Sequence, residues 1–288
     1  MKFFQFYDGN RVKLGLVQNG QWIDLAASIQ KNGAALPATL ADVMAYRGTR
    51  AALSEQYARL TPVCLPESEI SFAPVVMHPD KILCIGLNYA AHRRETGETD
   101  EIPFPPVFCK FANALNAHRG EIPLPAGAAH FDYEAELVLV IGKKAHCVAK
   151  ADAMSYLFGC TAGNDFSARD LQKATSQWTL GKACDGFAPV GPLLVTADEL
   201  SPDRLDIRCT VNGTLRQHSN TAKMLFSCAE IIHHLSQYMT LMPGDLIFTG
   251  TPEGVILGKP RAEQVWLKSG DTVTVEIAGI GALTNVLK

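Results

Sequence analysis

Phe131-Asp132-Tyr133-Glu134-Ala135-Glu136-Leu137-Val138-Leu139-Val140-Ile141-Gly142 reads as a β-strand, rich in Val, Leu and Ile and closed by a glycine. Side chains on a strand alternate faces, so Glu134 and Glu136 project side by side. The same face continues with Val138 and Val140, which places the two carboxylates at the mouth of a core. Like charges held together there repel unless a cation or a proton lies between them. A further acidic cluster, Gly163-Asn164-Asp165-Phe166-Ser167-Ala168-Arg169-Asp170, follows one helix-like segment later. Three carboxylates, Glu134, Glu136 and Asp165, with no nearby Cys or His suit a hard ion such as Mg²⁺ or Mn²⁺. Two alternatives stay open on spacing alone. Acids at i and i+2 are also what the wet face of a strand carries, and Asp165 is also a fitting cap for a helix beginning at Ser167.

Around this strand the chain divides near residue 70. Residues 1–70 read as a small α+β module, with short strands at 2–7, 11–17 and 21–25 separated by the turn signals Asp8-Gly9-Asn10 and Asn19-Gly20. A helix is expected over Leu40 to Leu60, and Pro62, Pro66, Pro74 and Pro79 then mark an extended linker. Residues 71–288 form the larger unit. It opens with the buried-type strand Ile82 to Gly86. The polar stretch from Asn88 to Pro103 follows, with the composition of a mobile excursion. Asn212-Gly213 signals a hairpin, and Ser227-Cys228-Ala229-Glu230 is a capping box opening an amphipathic helix. Strands dominate without regular strand–helix alternation, which favours a β-rich α+β fold over a doubly wound sheet.

The bulk composition narrows the function. The chain has 288 residues, 47% of them hydrophobic, and a formal net charge of −3. No Lys/Arg run exceeds two residues, which argues against nucleic acid or an anionic membrane as partner. No apolar run approaches the length of a membrane span, and the N-terminus lacks a signal-peptide pattern. The eight cysteines are scattered with no Cys-x-x-Cys pair, as expected of reduced core residues in a cytoplasmic protein.

His92 and Glu95 stand three apart in Asn88-Tyr89-Ala90-Ala91-His92-Arg93-Arg94-Glu95, so on a helix they share a face. A carboxylate beside an imidazole fixes its tautomer and suits it to act as a general base; an exposed ion pair has the same spacing. Lys182, between apolar residues and a glycine, is placed to hold a substrate carboxylate or a developing oxyanion. Arg169 and Gln172 follow Asp165 at helical spacing. No nucleophile elbow, dinucleotide fingerprint, phosphate loop or His-Glu-x-x-His is present.

Taken in order, several runs resemble the fumarylacetoacetate hydrolase superfamily. They are Gly86-Leu87-Asn88-Tyr89 with His92 and Glu95, Asp132-Tyr133-Glu134-Ala135-Glu136-Leu137, and Asn164-Asp165-Phe166-Ser167-Ala168-Arg169-Asp170 with Gln172. Gln177-Trp178 with Gly181-Lys182, Pro243-Gly244-Asp245 and Thr249-Gly250-Thr251-Pro252 complete the set. The resemblance spans roughly residues 70–288. It implies a mixed β-roll core, a homodimer, and one Mg²⁺ or Mn²⁺ on Glu134, Glu136 and Asp165. It implies His92 and Glu95 on a lid with Lys182 as a further catalytic residue, and Arg169, Gln172 and Thr251 on the oxo-acid end of a substrate. The activity it implies is hydrolysis of 2,4-dioxo acids (acylpyruvates) to pyruvate and a carboxylic acid through an enolate. Oxaloacetate decarboxylation and isomerisation of an unsaturated oxo-diacid share that frame, and a non-catalytic scaffold is the alternative from another class.

Overall fold

The computed structural model describes residues 1–98 and 102–288. Its spine is a twelve-stranded sheet. The acidic strand lies well inside it, with Ala135–Ile141 paired antiparallel to Leu157–Asn164 on one side and to Leu246–Phe248 on the other. Leu246–Phe248 pairs parallel to Ile82–Ile85, whose antiparallel neighbour is Val107–Lys110. On the far side, Leu157–Asn164 pairs with Ala188–Thr196. The N-terminal strands Lys2–Asp8, Arg11–Gln18 and Gln21–Asp24 continue the same sheet, joined to it through Lys2↔Val195 and Phe3↔Leu194.

A second, five-stranded sheet, built on Asp206–Val211, Thr214–Asn220, Thr272–Ile277 and Gly281–Leu287, packs across the middle of the first. The two sheets together make the β-roll. One core fills the space between them, and Leu137, Leu139 and Ile141 point into it. Val138 and Val140 point the other way, into a second core closed by the N-terminal helices. A strand buried on both faces cannot carry a wet face, so the solvated alternative for Glu134 and Glu136 fails.

Local rules explain most boundaries. The Ser227 capping box forms with both of its reciprocal bonds and opens the helix Cys228–Tyr238. The helix expected over 40–60 is instead two, Leu40–Ala45 and Arg50–Ala58. The break falls at the extended Tyr46, and Thr49 caps the second helix by accepting from Ala52 N. The expected 131–142 strand is also interrupted. Phe131–Asp132 pairs with Ser167–Ala168. The amides of Tyr133 and Glu134 then go to the side chains of Asp132 and Asn164 instead of to a ladder. That interruption turns the acidic end of the strand into a bend. Among the described residues no helix is long and apolar enough to cross a membrane.

Candidate active site

Three carboxylates converge at this bend. Glu134 precedes the strand, Glu136 is its second residue, and Asp165 follows the partner strand, whose register sets Asn164 against Ala135. One oxygen from each lies within 4.8 Å of the others. All three are buried, at 5%, 1% and 0% exposure. Asp165 caps no helix, because Ser167–Ala168 is a strand and the helix Arg169–Gln172 starts only after it.

Cations surround two of the three. Lys182 Nζ lies 2.5 Å from Glu134 Oε2 and 2.8 Å from Asp165 Oδ2. Arg169 Nη2 is 2.8 Å from Glu134 Oε1, and its Nε donates to Asp132 Oδ2 at 2.9 Å. Glu136 has no cationic partner among the described residues; its Oε2 accepts only the Gly250 amide, at 2.7 Å. Gly250 reaches this position with φ +98°, and a Cβ there would lie 2.7 Å from Asn88 Cβ, so only glycine fits.

The charges respond accordingly. Burial pushes the Glu134 carboxyl up, but Lys182 and Arg169 outweigh it and hold the group below the usual carboxylate range. Burial raises the Glu136 carboxyl well above that range, and the neighbouring Asp165 and Glu134 push it further. Burial opposes the charge on Lys182, yet Asp165 and Glu134 keep its ammonium more basic than usual. Among the described residues the cluster thus holds one buried acid with no cationic partner, in an all-oxygen donor set. That is what a hard divalent cation fits.

A cavity of about 400 Å³ opens beside the cluster. Of the residues singled out from sequence, Glu134, Glu136, His92, Arg169, Gln172, Lys182 and Thr251 line it. The other two do not line it but are bonded to residues that do, Asp165 to Lys182 and Glu95 to His92. His92 is buried on the short helix Ala90–Glu95, with Nδ1 2.8 Å from Glu95 Oε1. A carboxylate can only accept, so Nδ1 donates to Glu95, and in the neutral ring Nε2 keeps the lone pair. Glu95 Oε2 accepts the Gly254 amide at 2.8 Å, which docks this helix on the loop after Thr251. Asn88 anchors its start through Phe226 and Thr249. Of the segment expected to be mobile, residues 99–101 lie outside the described residues. Thr251 Oγ1 accepts from Gln217 Nε2, and Gln172 Oε1 accepts from Arg169 Nη1.

Three supporting residues escaped the sequence reading. Asp132 accepts from Arg169 and from the amides of Ile256 and Leu257, fixing both the guanidinium and the loop beneath it. Gln217 bridges Ala135 N, Thr251 and the Pro252 carbonyl. Lys110 is fully buried, with Nζ 2.6 Å from Asp165 Oδ1; it donates to the carbonyls of Phe187 at 2.7 Å, Phe166 at 3.2 Å and Lys182. The one available signal was a lone Lys ending the apolar strand Val107–Lys110. Lys110→Met leaves the Asp165 charge short of a buried partner. It is expected to cost about 3–5 kcal/mol of stability, the scale for breaking a buried pair from one side. Chemical denaturation of the metal-free protein measures this; a loss below about 1 kcal/mol, the scale of an exposed pair, would mean that Lys110 holds nothing in place.

Comparison with known proteins agrees with this geometry. Residues 81–288 match the family described as fumarylacetoacetate hydrolase, C-terminal. A Bos taurus protein named oxaloacetate tautomerase FAHD2B, mitochondrial, is 43% identical over 255 residues, covering 87% of this chain and 80% of its own. The Homo sapiens oxaloacetate tautomerase FAHD2A, mitochondrial, is 43% identical over 225 residues, covering 77% of this chain and 70% of its own. Among solved structures, a fumarylacetoacetate hydrolase from psychrophilic Exiguobacterium antarcticum superposes with a TM-score of 0.84 at 31% identity, over 100% of this chain and 99% of its own. A 5-carboxymethyl-2-hydroxymuconate delta-isomerase from Mycobacterium smegmatis gives 0.77 at 30%, over 100% and 98%. The named reactions differ, whereas the match runs through the acidic bend, the Lys182 segment and the loop at Thr251 alike, and the chain is therefore an enzyme of the fumarylacetoacetate hydrolase family.

Proposed function

We propose that this enzyme interconverts the keto and enol forms of 2-oxo acids that carry a second carbonyl at C4, oxaloacetate among them. The observation that carries the reading is His92, held by Glu95 and facing Lys182 and the carboxylate cluster across one cavity. Arg169, Gln172 and Thr251 bind the substrate carboxylate. His92 Nε2 takes a proton from C3, the C3–H electrons form the C2–C3 double bond, and the C2 carbonyl becomes an enolate oxygen beside the Lys182 ammonium. Protonation of that oxygen gives the enol, and the reverse sequence restores the ketone. Glu134, Glu136 and Asp165 would hold a divalent cation, Mg²⁺ or Mn²⁺, which supplies Lewis-acid polarisation of the C2 carbonyl when bound. The relatives named oxaloacetate tautomerases support the same reading.

A second reading, hydrolysis of acylpyruvates, is supported by His92 lining the same cavity, where it can activate a water instead of a C–H bond. There His92 deprotonates that water, the hydroxide attacks C4, and the C3–C4 bond breaks into a carboxylic acid and pyruvate enolate. An assay panel of oxaloacetate and acylpyruvates with Mg²⁺ or Mn²⁺ tests both. Faster loss of the enol absorbance with oxaloacetate supports tautomerisation; release of pyruvate from acylpyruvates alone supports hydrolysis. No turnover of any 2-oxo acid would sink the proposal. The homodimer and the cytoplasmic location belong to it as well. All eight cysteines are free thiols, which suits a reducing compartment, but only Cys84, Cys160, Cys209 and Cys228 are core residues; Cys64, Cys109 and Cys147 are exposed and Cys184 is half-buried, against the expectation that all pack in the core.

A further inference from the structure

Two of the three clustered carboxylates have a cation of the chain against every oxygen. Arg169 Nη2 and Lys182 Nζ lie 2.8 and 2.5 Å from Glu134 Oε1 and Oε2. Lys110 Nζ and Lys182 Nζ lie 2.6 and 2.8 Å from Asp165 Oδ1 and Oδ2. Among the described residues only Glu136 has none. A divalent ion held by all three acids therefore has to share oxygens with an ammonium or guanidinium group. Each oxygen has a second lone pair to offer. A dication and an ammonium on one oxygen nevertheless stand only a few ångströms apart, and buried charges repel with little screening. One of the chain's cations has to give way.

The other contacts of each cation show which. Arg169 is held by Asp132 through Nε and by Gln172 through Nη1. Lys110 donates to the carbonyls of Phe166, Lys182 and Phe187. Lys182 Nζ has no polar partner among the described residues besides Glu134 and Asp165. Of the two lysines on Asp165, it is also the one that lines the cavity. Its flexible four-carbon stem can carry the ammonium away from the acids. The Phe108 ring, centred 5.1 Å from Nζ, offers a face that attracts a cation. Trp178 meets Phe108 edge-on at 5.4 Å and covers Gly86, where a Cβ would come within 2.9 Å of the indole, so the two rings form a closed wall on this side.

We propose that Lys182 is a displaceable internal cation. It neutralises Glu134 and Asp165 until a divalent ion takes their oxygens, whereupon its ammonium turns out into the cavity. No covalent bond is made or broken; one cation replaces another on the same oxygens. An ammonium clasped by two carboxylates has little charge left for a substrate oxygen, and a released one is free to donate. Loading the metal thus arms Lys182 for the C2 oxygen, and the ion binds before the 2-oxo acid. That last use rests on the function proposed above; the displacement itself does not.

Both tests are made without substrate. Calorimetric titration of Mn²⁺ into Lys182→Met should show binding about tenfold tighter or more than in the wild type, on the lower scale of what groups around metal ligands contribute. An internal cation lowers the apparent affinity by the fraction of molecules in which it has moved aside. The same variant loses turnover, so affinity and kcat move in opposite directions. Unchanged or weaker Mn²⁺ binding by folded Lys182→Met would overturn the proposal. The second readout needs no variant. Carbamylation by cyanate, located by mass spectrometry, should rise severalfold at Lys182 when the wild-type protein is saturated with Mn²⁺. Lys110, which keeps its carbonyls, should stay protected. Tighter binding by the variant with no rise in labelling would mean that only the field of a removed charge was felt, and displacement would be overturned. Both effects present with no turnover of any 2-oxo acid would uphold the displacement and overturn the proposed function alone.

Discussion

Replacing Glu136 with alanine is expected to lower Mn²⁺ affinity and turnover by at least about 100-fold, the upper end of what even outer-shell changes around a metal cost. Glu136 is the buried acid that no Lys or Arg among the described residues neutralises. It therefore has the most to gain from a cation and contributes the most to holding one. Its effect on stability should have the opposite sign. In the metal-free protein burial, Asp165 and Glu134 hold the Glu136 carboxyl well above its ordinary range. A carboxyl raised in the folded state binds more protons there than in the unfolded chain. Its stabilising contribution is full below the ordinary carboxyl range and is lost as pH rises through the folded value. Metal-free Glu136→Gln should thus be at least as stable as the wild type at neutral pH and show a flatter loss of stability with rising pH. Denaturation curves with and without Mn²⁺ measure both effects. A Glu136→Gln protein that still binds Mn²⁺ at wild-type affinity would remove this residue from the metal site.

His92→Ala is expected to lower kcat for tautomerisation by about 10²–10⁴-fold, the usual contribution of a positioned acid–base group. Mn²⁺ affinity should stay as it is, because His92 lies across the cavity from the carboxylates and partners Glu95 instead. Acylpyruvate hydrolysis, where it occurs, should fall by a similar factor, since the same nitrogen activates the water. Oxaloacetate decarboxylation should fall less: loss of CO₂ leaves the enolate without a base. Lys182→Met should depress all three, because each passes through negative charge on the C2 oxygen. The measurement is kcat and KM for each reaction at saturating Mn²⁺. Undiminished tautomerisation in His92→Ala would mean that another group moves the C3 proton.

Much of this site was legible as one-dimensional pattern. Glu134 and Glu136 stand out as acids at i and i+2 leading into an apolar run, although only Glu136 lies on the strand and Glu134 sits on the bend before it. His92 and Glu95 stand out because helical spacing puts i and i+3 together, and the Ser227 box because its two bonds are local. For the His92–Glu95 pair and the Ser227 box, partner atoms are fixed by a few backbone dihedrals, so local sequence suffices; for the two glutamates, spacing alone left a solvated strand face open, and the bend that gathers them is tertiary.

Other features depend on which strands become neighbours. Lys110 meets Asp165 across 55 positions, and its strand is separated from the acidic strand by Leu246–Phe248 and Ile82–Ile85 in the sheet. Asp132 reaches the Ile256 and Leu257 amides across more than 120 positions. The wall of Phe108, Trp178 and Gly86 gathers three loop and strand ends whose local sequence gives no sign of one another. The N-terminal strands read as a module of their own, yet Phe3↔Leu194 joins them to the main sheet. Periodicity states which face of an element is apolar. It does not state which other face will cover it, because that is settled by the joint burial of both cores, and only the tertiary structure could place the groups that neutralise the acids and line the cavity beside them.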